Sequence, residues 1–160
     1  MYDFKPDPAA PKDQLYQELA QAVDGLTAGE DDSVANMANV AALLWQYLPD
    51  VNWTGFYRAV GDTLVLGPFA GKPACLRISF GQGVCGTAAM AKATQLVQDV
   101  EAFAGHIACD GDTRSEVVVP VLRGGKVIAV IDCDSPSIAR FDTDDAAGLE
   151  RVAAILSDRI

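Results

Sequence analysis

Four cysteines and a single histidine, His106, are the first residues of this chain that could do chemistry. Cys75, Cys85 and Cys109 lie in or beside glycine-rich, loop-like sequence, whereas Cys133 lies inside a continuous apolar strand pattern. Thiols of this kind serve packing, metal binding or redox chemistry. Packing is the natural reading of Cys133. Zinc is disfavoured for the others: no C-x₂-C pair is present, and one histidine three residues from Cys109 does not make the paired knuckles of a structural site. No metal site is therefore expected. Redox chemistry is left for the trio. Cys85 falls in the first turn of the helix expected over GVCGTAAM, where free N–H groups and the helix dipole favour a thiolate. Cys109 stands between His106 and a run of acids, which help and hinder a thiolate respectively. Both are candidate nucleophiles.

A second constellation is acidic. Asp132 and Asp134 are two apart at the end of the apolar run VIAVI, so they project to one face of a strand. Glu116 opens the preceding strand. Joining the three acids on one face requires an odd-length loop or a bulge in the hairpin around Gly124-Gly125; a plain two-residue turn would set Glu116 opposite Cys133 and turn it away. Solvated acids at strand ends are the bland alternative. Three carboxylates in one pocket cannot all ionise cheaply, so one would hold a proton at neutral pH. Such a proton assists expulsion of oxygen when a thiolate attacks a sulfoxide sulfur; the same acids could grip an ammonium group. Trp53 and Tyr57, four apart on a strand, would form an aromatic wall, or else ordinary core. Arg77, Gly83 and Gly86 are weaker hints of an anion subsite.

The elements that must position these groups are legible in outline. After a lead-in with Pro6, Pro8 and Pro11, the stripe Leu15, Leu19, Val23, Leu26 predicts a helix over 12–27. Asp31, Asp32 and Ser33 offer caps for a second helix, which runs to about Leu48 before Pro49, with Val34, Met37, Ala41, Leu44, Trp45 and Leu48 as its apolar face. NWTGFYRAV, Gly61-Asp62 and TLVLGPF read as a hairpin; CLRISF and QLVQDV as short strands; SEVVVPVLR and KVIAVIDCD as a second hairpin across Gly124-Gly125. FDTDDAAGLERVAAIL closes the chain as a helix, capped by Asp142 or Thr143 and burying Leu149, Val152, Ala153 and Leu156. AFAGHIACDGDTR shows no periodicity. This order argues an α+β domain on an antiparallel sheet.

At 160 residues the chain fits one domain, and its apolar runs fall short of membrane-spanning length. The first residues lack the pattern of a signal peptide, so a cytoplasmic, reducing location is expected. A net charge of −10 disfavours nucleic-acid and membrane partners.

NWTGFY, LVLGPFAGKPACLRISFGQGVCGTAA, GHIACD, SEVVVPV and IDCDSP…RFD together resemble the free methionine-(R)-sulfoxide reductases, a branch of the GAF-domain fold. The resemblance implies one GAF-like catalytic domain over 15–160 after a 1–14 lead-in, with a six-stranded antiparallel sheet flanked by helices, commonly as a homodimer. It implies reduction of free L-methionine (R)-S-oxide to methionine without a cofactor, through a sulfenic acid and an intramolecular disulfide, with thioredoxin as electron donor. By motif, Cys109 matches the attacking cysteine, Cys75 the resolving one and Cys85 an auxiliary thiol; Glu116, Asp132 and Asp134 match the acids that bind and protonate substrate, and Trp53 and Tyr57 the wall around its methyl group. Cys133 stands where relatives look aliphatic. The competing reading is a non-catalytic GAF-type sensor of small molecules, which would be expected within a longer chain carrying output domains.

Overall fold

A computed structural model describes residues 4–7 and 9–160; Pro8 of the lead-in lies outside them. Four helices and six strands follow one another as α1 (Lys12–Thr27), α2 (Ser33–Tyr47), β1 (Trp53–Val60), β2 (Thr63–Gly71), β3 (Arg77–Ser79), α3 (Gly83–Ala91), β4 (Gln95–Val97), β5 (Ser115–Arg123), β6 (Lys126–Ser135) and α4 (Thr143–Leu156). The strands form one antiparallel sheet in the order β3-β2-β1-β6-β5-β4.

Alternation along the central strands gives the sheet two different faces. On one, Phe56, Val117, Val119, Val121, Ala129, Ile131 and Cys133 join the buried stripes of α1, α2 and α4 in the larger core. Cys133 is fully buried there, as packing requires. On the other, Trp53, Tyr57, Val118 and Val130 pack with Ile78, Val84, Cys85, Ala88 and Ala89 of the β3–α3 region in a smaller cluster.

The helix ends follow side-chain capping. Asp32 accepts from the Ala35 N–H at 2.8 Å to start α2. Asp142 starts α4 in a capping box with Asp145. The expected face of α2 needs correction: Val34 and Trp45 are exposed by 52% and 44%. The helix packs on α1 and on β1 and β2 at once, so its buried arc is rotated toward Asn36, Leu43 and Tyr47, leaving Val34 and Trp45 on the open flank.

The register of the β5–β6 hairpin sets the acids. The turn is a two-residue one, with Gly124 and Gly125 both at positive φ (56° and 75°), and pairs Arg123 with Lys126 and Leu122 with Val127. By itself that turn would misplace Glu116. A bulge at Ile128 then shifts the register by one, so that Val121 pairs Ala129 and Glu116 pairs Asp134. Of the two devices expected for joining the acids, the molecule uses the bulge.

Candidate active site

The bulged register places Glu116 on β5 beside Asp134 on β6, and β1 sets Trp53 opposite Asp134 and Gly55 opposite Asp132. Acids and aromatics therefore share the face away from the main core. Gly55 is needed where it stands: a Cβ there would come within 2.5 Å of the Phe69 Cβ. Its neighbours Trp53 and Tyr57 stack with centroids 5.9 Å apart, and Phe69 also stacks on Trp53 at 5.2 Å. The ring of Trp53 is held by its indole N–H, which donates to the Lys72 carbonyl at 3.1 Å.

Two irregular segments close over this floor. Residues 72–76, after β2, carry Cys75; residues 103–114, the stretch without sequence periodicity, carry His106 and Cys109. A disulfide joins Cys75 to Cys109, the pair the resemblance implied. Side chains that sequence reasoning passed over support it. Asn52 Nδ2 donates to Asp110 Oδ2 and to Thr113 Oγ1, each at 3.1 Å. Lys72, on the Cys75 segment, pairs with Asp110 and Asp112 on the Cys109 segment. The backbone N–H of Asp112, the Asn52 amide and the Lys72 cation together hold the Asp110 carboxyl below the usual range. The spacing of residues 52, 72 and 110 carries no signal that could have found this tie.

The cavity between them is lined by Trp53, Tyr57, Gly83, Cys85, His106, Cys109, Asp110, Thr113, Glu116, Asp132 and Asp134, among others. About 30 Å³ of it is open to the centre of a water molecule, space for roughly two waters. Of the weaker hints, Gly83 lines it, with φ of +59°. Arg77 is exposed on β3 outside the lining. Gly86 serves packing: a Cβ there would meet the Ser79 carbonyl oxygen at 2.3 Å.

The electrostatics are those of crowded acids without cations. Glu116 and Asp132 are 6% and 5% exposed, and no Lys or Arg pairs with them or with Asp134 among the described residues. Burial raises the Asp132 carboxyl to about 7. Burial, then the charge of Asp132, raises Glu116 and Asp134 well above the carboxylate range. A proton is therefore held in the cluster at neutral pH. His106 Nε2 stands 4.0 Å from Glu116 Oε2, and burial lowers its pKa, so the imidazole is neutral.

Cys85 differs from the expectation drawn from its helix position. It is in the first turn of α3, but its Sγ donates to Asp132 Oδ2 at 3.2 Å and approaches Glu116 Oε1 at 3.9 Å. Burial and the two carboxyls push its thiol well up. Desolvation and like charge outweigh the helix dipole here, so Cys85 is a protonated donor rather than a thiolate. Cys75 and Cys109 are only partly buried.

A model of the GAF domain family matches residues 14–160. The free methionine-R-sulfoxide reductase of Escherichia coli is 46% identical over 145 residues, covering 91% of this chain and 88% of that one. The enzyme of the same name from Saccharomyces cerevisiae is 44% identical over 154 residues, covering 91% and 86%. The structure of free methionine-R-sulfoxide reductase from Neisseria meningitidis in complex with its substrate superposes with a TM-score of 0.94 at 43% identity, covering 99% of this chain and 95% of that one.

Proposed function

The chain belongs to the GAF-domain family and, within it, to the free methionine-R-sulfoxide reductases, and we propose that it reduces free L-methionine (R)-S-oxide to L-methionine with its own thiols. The observation that carries the reading is the meeting, in one cavity, of a disulfide-forming pair with a buried acid cluster that holds a proton.

In this reading Cys109 attacks. It lines the cavity and bonds to Cys75, while Cys85 is occupied as a donor to Asp132. The Cys109 thiolate forms a bond to the sulfoxide sulfur as the acid cluster protonates the oxygen; the oxygen then passes to the cysteine sulfur as the substrate's sulfur–oxygen bond and the transient sulfur–sulfur bond both break. Methionine leaves and Cys109 becomes a sulfenic acid. The Cys75 thiol displaces the sulfenic oxygen as water and closes the disulfide. The net change consumes one sulfoxide and two thiols, and yields one thioether, one disulfide and one water. Asp132, poised near neutrality, supplies the proton; Glu116 and Asp134 keep it poised and face the ammonium group, and Trp53 and Tyr57 hold the methyl group. With the disulfide closed the cavity has space for only about two waters, so substrate enters the reduced form, and a site that holds both the ammonium and carboxylate groups takes a free amino acid rather than a chain.

The partly buried disulfide is recycled by a dithiol protein of the thioredoxin type, with no cofactor, in the cytoplasm. No described helix is long and apolar enough to cross a membrane, and the net charge of −10 disfavours nucleic acid. The working form is a homodimer.

The test is a thiol count. Reduced protein incubated with the R epimer should lose two free thiols and release one methionine per chain; the S epimer should do neither. Cys109→Ser should form no methionine even in a single turnover, whereas Cys75→Ser should form one equivalent and stop as a sulfenic acid. Absence of thiol loss with both epimers would leave a ligand-binding sensor as the function.

A further inference from the structure

Cys85, Glu116 and Asp132 come from α3, β5 and β6, and sequence distances of thirty-one and sixteen residues hide their meeting. The Cys85 Sγ and one oxygen of each carboxyl all lie within 4.8 Å of one another, and all three side chains are buried. Two distances decide what this triangle fits. Zinc bonds a thiolate at about 2.3 Å and a carboxylate at about 2.0–2.2 Å, so tetrahedral ligation sets sulfur and oxygen roughly 3.5 Å apart. The observed separations, 3.2 Å to Asp132 Oδ2 and 3.9 Å to Glu116 Oε1, bracket that value. A second observation concerns the Asp132 oxygen that does not meet the Cys85 thiol. Asp132 Oδ1, on a side chain that lines the same cavity, is buried and has no hydrogen-bond partner among the described residues.

We propose that Cys85, Glu116 and Asp132 form a site for a thiophilic divalent cation of the zinc type, which holds the protein reversibly inactive. The cation replaces protons: the Cys85 S–H and the proton shared among the carboxyls leave as the metal–sulfur and metal–oxygen bonds form, and no electron moves. A cavity water fills the fourth position, or His106, whose Nε2 is 4.0 Å from Glu116 and whose ring is neutral. Hard cations are excluded by the thiolate and by the small number of oxygen ligands. The bound cation stands where the acids act and removes the proton they hold. This site is of another kind from the paired-knuckle structural zinc site that cysteine spacing argues against.

The site is tested on the oxidised full-length protein, where the Cys75–Cys109 disulfide leaves Cys85 and Cys133 as the free thiols. Co²⁺ is titrated and followed by absorption. The expected result is one equivalent bound, with a sulfur-to-cobalt charge-transfer band and the intense visible bands of four-coordination. Cys133→Ala, in the opposite core, should keep the spectrum. Cys85→Ser should lose the charge-transfer band, and Asp132→Asn and Glu116→Gln should each weaken binding at least about tenfold. Absence of the band in the oxidised protein, its survival in Cys85→Ser, or only a six-coordinate spectrum from surface acids would overturn the proposal. Should Cys85→Ser not fold, the isosteric Asp132→Asn carries the same decision through its affinity. Because the readout is spectroscopic, its failure leaves the reductase reading standing; the inactivation rests on that reading, whose failure would leave the cation site and remove only that consequence.

Discussion

Among the described residues, carboxylates are buried at two places, one on each side of the sheet, and the two are built on opposite plans. Asp145, on α4 against the main core, is 1% exposed. It accepts from Tyr16 at 2.8 Å, from Lys12 at 2.6 Å and from Arg140 at 3.2 Å, and its side chain also closes the α4 capping box. Asp132, nearly as buried, has the Cys85 thiol and two further acids for company. One carboxylate is fully matched by cations and donors; the other is surrounded by groups that resist its charge. The difference separates an acid that ties elements together from one whose proton is available for transfer.

Asp132→Asn should break the comparison most visibly. It removes the transferable proton at unchanged shape, so kcat/KM should fall by about 10²–10⁴-fold, while thermal melts at pH 8 show a protein at least as stable as the parent. Loss of stability without loss of activity would invert the roles assigned to the two sites. Asp145→Asn should do the reverse. It takes the charge from beside Arg140, leaves Lys12 with Asp142 alone and opens the capping box, at a cost of about 3–5 kcal/mol in denaturant unfolding, with the turnover of the folded fraction near that of the parent.

Stability against pH carries the contrast without mutation. Asp132 titrates at about 7 in the folded chain and near 4 when unfolded. Its proton therefore adds stability that is complete below about pH 4 and lost as pH rises to 7. Asp142 runs the other way: Lys12 beside it holds its pKa at about 2, so its contribution is present above about pH 4 and lost on further acidification. Stability should peak near pH 4 and be lower at pH 8, with a difference on the order of 4 kcal/mol; in Asp132→Asn the fall from pH 4 to 8 should shrink. The smallest effect is expected at the surface tie. Lys72 is 59% exposed where it pairs Asp110 and Asp112, so Lys72→Met should leave the denaturant midpoint close to that of the parent and be visible only as a modest slowing of Cys75–Cys109 disulfide closure.

Much of this was legible in the residues because the periodicities were clean. The double glycine at 124–125 announced the hairpin, and Asp132 and Asp134 shared a face by strand spacing alone. That Glu116 joins them depended on one residue of register, and the sequence narrowed the means to a loop or a bulge; the Ile128 bulge is a tertiary choice with no local signature. The burial arc of α2 went astray at Val34 and Trp45 because two packing partners, rather than one, decide which side of that helix is inside. Cys85 was misjudged as a thiolate for a similar reason: helix position is local, whereas the carboxyls that suppress its ionisation arrive from β5 and β6. The ordering of residues 103–114 by Asn52 and Lys72 had no periodic trace at all.

The central claim is that the acid cluster on the cavity face holds a proton at neutral pH. It is tested most directly by carbon-13 NMR titration of the carboxyl carbons, with Asp132 assigned through Asp132→Asn. The account predicts a carboxyl signal, absent from that variant, that titrates with a midpoint near 7, with Glu116 and Asp134 titrating above the ordinary carboxylate range. Three midpoints near 4, the value of solvated carboxylates, would contradict it.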